Sequence, residues 1–191
     1  MLFASKEEIR KSYLQKRAAL LPKDAKKLSN EICKNFYANI SVKKKSVIAG
    51  YISQRNEVDI QILLDLYAED GHEICLPCVS EKNQPMTFRK YKKGAELVTN
   101  NQFKFKQPPS NFPEVIPDVI IVPLVSFDSA GSRIGMGAGF YDRTLQNFVD
   151  SSYEFISVGV AYSMQQTQYI KPETFDFKLD SVVTEKKVFI F

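Results

Sequence analysis

Apolar positions along this chain recur with two periods, and the change from one to the other marks out its elements. Ile9, Tyr13 and Leu20 stand at helical spacing. Ahead of them, Ser5-Lys6-Glu7-Glu8 has the pattern of a capping box, in which a serine hydroxyl and a glutamate three residues on satisfy the free amides of a first turn. A helix is therefore expected from this box to Pro22, and a second over residues 24–38, where Leu28, Ile32 and Phe36 repeat the spacing. After the basic turn Lys43-Lys44-Lys45, residues 47–52 are short, apolar and partly β-branched, as befits a strand buried on both faces. A helical pattern resumes over residues 58–67, and residues 73–76 predict a strand closed by Pro77. Further strands are expected at 119–122, 155–160 and 181–183. Such alternation argues for an α/β protein with a mixed or parallel sheet covered by helices. Residues 107–117 hold four of the nine prolines and predict an irregular connection rather than a domain linker.

Composition narrows the class. With 191 residues, 44% hydrophobic and 25% charged, the chain has the profile of one globular domain. No apolar run approaches the roughly 20 residues that cross a bilayer, and the charge at Lys6, Glu7 and Glu8 comes too early for a secretory segment, so a cytoplasmic location is expected. Three cysteines make no disulfide framework. Cys75 and Cys78 are spaced C-x-x-C near His72, yet no second pair completes a zinc site, and buried inert thiols are the better reading. The net charge of +4, from 26 basic and 22 acidic residues interspersed along the chain, suits nucleotides without naming them.

Chemistry concentrates in one stretch, Phe127-Asp128-Ser129-Ala130-Gly131-Ser132-Arg133-Ile134-Gly135-Met136-Gly137-Ala138-Gly139-Phe140-Tyr141-Asp142-Arg143, which follows a predicted strand and leads into a helical segment at 144–148. Glycines 135, 137 and 139 let backbone amides approach an anion closely, as in a phosphate cradle at a helix N-terminus. Glycine-rich loops also serve as plain strand-to-helix turns, and neither the Walker nor the dinucleotide spacing is met. An arginine before the glycines and Tyr-Asp-Arg after them favour the cradle.

This stretch resembles the 5-formyltetrahydrofolate cyclo-ligase family, whose usual pattern is close to F-D-x-x-G-x-R-L-G-x-G-x-G-Y-Y-D-R. The resemblance extends more loosely through Tyr51-Ile52-Ser53, Glu57-Val58-Asp59, residues 118–123 and residues 180–185. It implies a single-domain three-layer α/β/α sandwich over residues 1–191 with a mixed, mostly parallel central sheet. It also implies ATP-dependent conversion of 5-formyltetrahydrofolate to 5,10-methenyltetrahydrofolate. By resemblance, ATP is held by Lys6, Arg10, Arg133, Ile134, Gly135, Met136, Gly137, Ala138, Gly139, Phe140 and Tyr141, with Arg133 and Tyr141 at the chemistry. Ile52, Glu57 and the Met136 to Phe140 segment border the folate, and Asp142 and Asp180 hold Mg2+. Lys6, Arg10 and Arg17 share one stripe of the first helix, where a basic stripe is usually the wet face. Glu57 could equally be a glutamate favoured at a helix N-terminus, and Asp180 a solvated aspartate before a strand. Three positions depart from the family: Ala138 for glycine or lysine, Phe140 for a tyrosine, and Gln107 where a glutamate is usual.

The implied chemistry needs no side-chain nucleophile. Phosphorylating the formyl oxygen makes an imidate-like phosphate ester that a neighbouring folate nitrogen attacks, so alignment and charge neutralisation are the protein's task. A sugar-phosphate isomerase or coenzyme A transferase of similar architecture would need a committed base or carboxylate nucleophile, for which Asp128 is the nearby candidate besides Asp142. A nucleic-acid module would need a broader basic face than residues 43–45 provide. The expected partners are thus ATP and the folate, with no nucleic acid, no membrane and a monomeric chain.

Overall fold

The structure, a computed structural model, describes residues 4–191; the reading of the first residues rests partly on Met1, Leu2 and Phe3, which lie outside them. In chain order the elements are α1 (Lys6–Ala18), α2 (Pro22–Asn39), β1 (Val47–Ala49), α3 (Gln61–Glu69), β2 (Glu73–Cys78), β3 (Thr87–Lys90), β4 (Val98–Thr99), β5 (Lys106–Gln107) and β6 (Glu114–Val115). They continue with β7 (Val119–Pro123), β8 (Ser126–Phe127), β9 (Arg133–Ile134), α4 (Phe140–Asp150), β10 (Ile156–Val160), β11 (Ser181–Val183) and β12 (Val188–Ile190). Eight strands form one sheet in the order β12-β11-β10-β7-β1-β2-β3-β6. Neighbours from β11 to β2 run parallel, and β12, β3 and β6 are antiparallel additions at the edges. This is the mixed, mostly parallel sheet that the family resemblance implied, within the mixed or parallel class that the alternation argued for.

Both faces of the central strands are buried, which is why their sequences are continuously apolar. Along β7, Val119 and Ile121 face Ile32 and Phe36 of α2 and Leu63 of α3. Ile120 and Val122 face the opposite layer, where Leu145 and Phe148 of α4 pack. Helix α1 joins neither layer. Its Ile9, Tyr13 and Leu14 rest on Val125, Ile134 and Ile170, beyond the carboxyl end of β7. The capping box that starts it forms as expected: the Glu8 amide donates to Ser5 Oγ at 3.2 Å and the Ser5 amide to Glu8 Oε2 at 2.7 Å.

Several boundaries move, each for a local reason. The first helix ends at Ala18, and Pro22 instead opens α2, where its fixed φ and missing N–H are tolerated. Pro77 does not close β2. Gly50 N–H donates to Cys75 O and Tyr91 N–H to Ile74 O, so odd-numbered residues of β2 face β1, and Pro77 lies past the point where β1 has ended. The third helix starts at Gln61 rather than 58, and β1 is cut to Val47–Ala49 because the chain leaves the sheet at Gly50. β5 and β6 come from or border the region expected to be irregular, and β12 was not anticipated. Among the described residues no helix is long and apolar enough to cross a membrane.

Gly159 of β10 gives a direct test of this packing. A methyl there would sit 2.7 Å from Leu179 Cδ1, 2.8 Å from Leu124 Cδ2 and 2.9 Å from Val182 Cγ2. Gly159→Ala is expected to cost about 1–3 kcal/mol through overpacking, read as a lower urea midpoint at unchanged slope.

Candidate active site

The chain steps from β1 to β2 on one side of the sheet and from β7 to β10 on the other, so the carboxyl ends of β1 and β7 open a crevice between them. Crevices at such reversals are where open parallel sheets receive ligands. A cavity of about 1010 Å³ lies there. Tyr51 and Ile52 enter it after β1, Pro77 from β2, and Pro123, Leu124 and Val125 from the end of β7; Lys6 and Arg10 of α1 close it from above.

One wall is the glycine loop between β9 and α4. Gly139, at φ 66°, is the N-cap of α4, and Gly137 has φ 97°; both are left-handed positions that glycine adopts without cost. Arg143 Nη2 donates to Ala138 O at 2.8 Å, and Arg10 Nε donates to Gly135 O at 2.8 Å, so the loop is held from both sides. No side chain caps α4, which leaves its leading amides available to an anion in the cavity.

Charge is arranged around it in pairs. The Arg133 side chain is 4% exposed, and its Nη2 donates to Asp142 Oδ1 at 2.8 Å. Its Nη1 donates to the Phe177 carbonyl, and the Phe177 amide donates to the same Asp142 oxygen at 3.2 Å. Burial draws Arg133 below its ordinary pKa, and Asp142 opposes that shift. Lys6 Nζ reaches Asp176 Oδ1 at 2.7 Å and Glu173 at 3.2 Å.

Asp142 fits a magnesium ligand. Its side chain is 31% exposed at the cavity, and among the described residues Oδ2 makes no hydrogen bond. A cation that keeps its waters and takes phosphate oxygens needs only one or two carboxylates. Asp180 does not join it. It sits at the amino end of β11, outside the cavity lining, with Oδ2 accepting from both the amide and the hydroxyl of Ser157 at 2.7 Å. The pairing of Asp142 with Asp180 is therefore not assembled here: Asp180 is exposed, as its plainer reading had it, and bound to β10.

Ile52, Leu76, Met86, Phe103 and Phe105 make an apolar wall, which Phe140, directly after the glycines, meets edge-on through Phe103 at 5.0 Å. Glu57 enters from a tight turn in which its amide donates to Gln54 O at 2.9 Å and its Oε2 accepts from Gln54 N at 3.0 Å. The helix-terminus explanation for Glu57 fails, because α3 begins at Gln61 with Ile60 as its N-cap. Burial raises the Glu57 pKa, partly offset by the Gln54 amide, Arg17 and Arg55. Burial also pushes the Tyr51 and Tyr141 phenols up, so both remain hydrogen-bond donors rather than bases. Of the basic stripe on α1, Lys6 and Arg10 line the cavity; Arg17 lies outside its lining at 2% exposure, neither wet nor in reach of the loop.

Cys33, Cys75 and Cys78 are buried free thiols; burial raises Cys33 to about 12 and Cys78 to about 11. Gln107, in place of the usual glutamate, accepts at Oε1 from the Val79 amide at 3.1 Å and from Asn100 Nδ2 at 3.3 Å. An acceptor is needed there, and an amide oxygen serves. Sequence reasoning missed Phe103, Phe105, Glu173 and Asp176. All four residues of Phe103-Lys104-Phe105-Lys106 line the cavity, in a turn leading into β5 that no local periodicity marked.

A sequence profile described as the 5-formyltetrahydrofolate cyclo-ligase family matches residues 3–185. The 5-formyltetrahydrofolate cyclo-ligase of Escherichia coli K12 is 34% identical over 179 residues, covering 91% of this chain and 97% of that protein. That of Haemophilus influenzae is 30% identical over 183 residues, covering 93% and 96%. Among solved structures, the 5,10-methenyltetrahydrofolate synthetase of Aquifex aeolicus superposes with a TM-score of 0.81 at 31% identity, over 97% of this chain and 92% of the other.

The three glycines of the loop are not equivalent. An alanine methyl at Gly139 would lie 2.7 Å from Arg143 Nη1 in a left-handed conformation, whereas at Gly135 it meets nothing within 4 Å. Gly139→Ala is expected to cost about 1–2 kcal/mol and Gly135→Ala less than about 0.5 kcal/mol in thermal unfolding.

Proposed function

Because the chain belongs to the 5-formyltetrahydrofolate cyclo-ligase family, we propose that this cavity brings ATP beside 5-formyltetrahydrofolate and closes it to 5,10-methenyltetrahydrofolate, releasing ADP and phosphate. The observation that carries this reading is the two-sided lining of a single cavity. A cationic, glycine-rich wall faces an apolar, aromatic wall that contains one buried carboxylate, Glu57.

A formamide carbon resists attack because its oxygen is a poor leaving group. Transfer of the γ-phosphoryl group to that oxygen forms the O–P bond and breaks the bond to ADP. The second folate nitrogen then attacks the formyl carbon, loses its proton, and phosphate departs. The ring closure is intramolecular, so alignment supplies much of the rate. Arg133, Arg10 and the amides of residues 134–141 surround the transferring phosphate charge. Lys6 meets it by exchanging Glu173 and Asp176 for phosphate oxygens. Tyr141, half-buried and kept protonated by desolvation of its phenol, donates a hydrogen bond. Asp142 would hold Mg2+, which when bound screens the phosphate charge. Glu57 accepts parallel N–H bonds from the pterin while Ile52 and residues 136–140 pack on its ring. In this reading the protein acts as a monomer in the cytoplasm, with neither nucleic acid nor membrane as partner.

The transferase and isomerase alternative loses its candidate nucleophile. Asp128 is 2% exposed, with Oδ1 accepting from the Ala130 and Ser132 amides and Oδ2 from the Ile170 amide, so its carboxylate organises the hairpin rather than facing a substrate.

Purified protein mixed with 5-formyltetrahydrofolate, Mg2+ and ATP should generate the near-ultraviolet absorbance of the methenyl product, and none when ATP is omitted. Product without ATP would overturn the ligase reading. Asp142→Asn should raise the Mg2+ needed for half-maximal rate by about tenfold or more; an unchanged requirement would remove Asp142 from the metal site.

A further inference from the structure

Arg17 is the one cation of the α1 stripe that the proposed chemistry leaves unused, and its burial needs a reason. It is 2% exposed. Nη1 donates to Leu124 O at a long 3.4 Å, while Nε and Nη2 are buried with no hydrogen-bond partner. Leaving guanidinium donors unspent in the interior is costly. The nearest opposite charge is Glu57, whose Oε1 lies 3.9 Å from Nη2. That separation is too long for a hydrogen bond and short enough for strong Coulomb attraction where water is excluded.

The turn carrying Glu57 is tied to the same place. Arg55 at φ 49° and Asn56 at φ 57° are consecutive non-glycine residues in the left-handed region, a strained arrangement that persists only when its surroundings enforce it. Asn56 Nδ2 donates to the carbonyls of Arg17 at 3.4 Å and Leu20 at 3.2 Å, so the end of α1 holds the turn by its backbone.

We infer that Arg17 is the positioning residue for Glu57, a buried guanidinium that fixes both the place and the charge of the carboxylate facing the cavity. The inference rests on the proposed role of Glu57 in folate binding. Glu57 can accept parallel N–H bonds only as the anion. Burial works against that form, and the groups facing it explain how it is kept: the Gln54 amide donates to Oε2 at 3.0 Å, and Arg17 from α1 and Arg55 from its own turn are cations. The phenols of Tyr51 after β1 and Tyr141 in α4 stay neutral, and Tyr162 after β10 donates to the Glu57 carbonyl at 3.3 Å. Without Arg17 the carboxyl group takes up its proton at higher pH, so binding competence is lost at higher pH as the solution is acidified.

The test is the pH dependence of kcat/KM for 5-formyltetrahydrofolate, with KM for ATP in parallel, in the wild type and in Arg17→Met, Arg17→Gln, Arg17→Lys and Glu57→Gln. Arg17→Met should raise KM for the folate about tenfold at neutral pH, leave KM for ATP in place, and move the acid limb to higher pH. Arg17→Lys should keep the limb near the wild-type position, and Glu57→Gln should abolish it. If Arg17→Met does not fold, Arg17→Gln, which keeps a donor for Leu124 without the charge, reads the same limb. A purely structural Arg17 would lower stability and change KM equally at every pH with the limb unmoved, which would overturn the inference. A Glu57→Gln variant with unchanged folate KM would overturn it by another route, by removing Glu57 from the folate site.

Discussion

Arg133 is buried where three distant parts of the chain meet: the β8/β9 hairpin that carries it, the head of α4, and the segment that leads into β11. Its bonds to Asp142 and to the Phe177 carbonyl, with the Phe177 amide returning to Asp142, make a closed set of contacts among those parts. A buried ion pair adds little net stability, yet removing one partner leaves an uncompensated charge that costs about 3–5 kcal/mol. The arrangement therefore works as a constraint on position. It sets the glycine loop, the carboxylate of Asp142 and the acidic residues of the 173–176 segment in one fixed relation around the cavity.

That constraint would have nothing to act on without the parallel sheet. Parallel strands bring all their carboxyl ends to one edge, so the turn of Glu57 after β1, Pro77 in β2 and the hairpin after β7 converge although they are separated by dozens of residues. Because both faces of the sheet are filled by α2, α3 and α4, that edge is where a large cavity can open. Helix α1 lies across it and brings two cations, Lys6 and Arg10, each with a partner on the opposite wall, an acidic pair for one and the Gly135 carbonyl for the other.

How much of this was legible depended on whether a residue's role was local. The runs of β7 and β10 declared themselves because burial on both faces makes them almost wholly apolar, and the capping box at Ser5 is complete within four residues. The loop from Arg133 to Asp142 was readable because its glycines, arginine and aspartate are contiguous. Edge strands such as β6 and β12 are only two or three residues long and take their form from a partner strand, which no local pattern records. Glu173 and Asp176 were invisible for the same reason, since their partner Lys6 lies some 170 residues away. Asp180 shows the converse: its motif was local and recognisable, while its placement was decided by Ser157 on a neighbouring strand.

Two of the carboxylates that line the cavity, Asp142 and Glu57, live in opposite surroundings, and in the proposed function this is how one pocket treats two unlike ligands. Asp142 stands in the first turn of a helix against a buried guanidinium, with one oxygen engaged and one unengaged among the described residues, a setting that suits a hard cation. Glu57 stands in a strained turn against aromatic neighbours, where burial favours the neutral acid and the Gln54 amide, Arg17 and Arg55 oppose it. In the proposed function a phosphate-bearing ligand is thus drawn to the wall of Asp142, and a planar one with N–H donors to the wall of Glu57. Gln107 belongs to neither group: by holding Val79 and Asn100 it shapes the aromatic wall without adding charge to it, which keeps Glu57 the sole buried carboxylate on that side among the described residues.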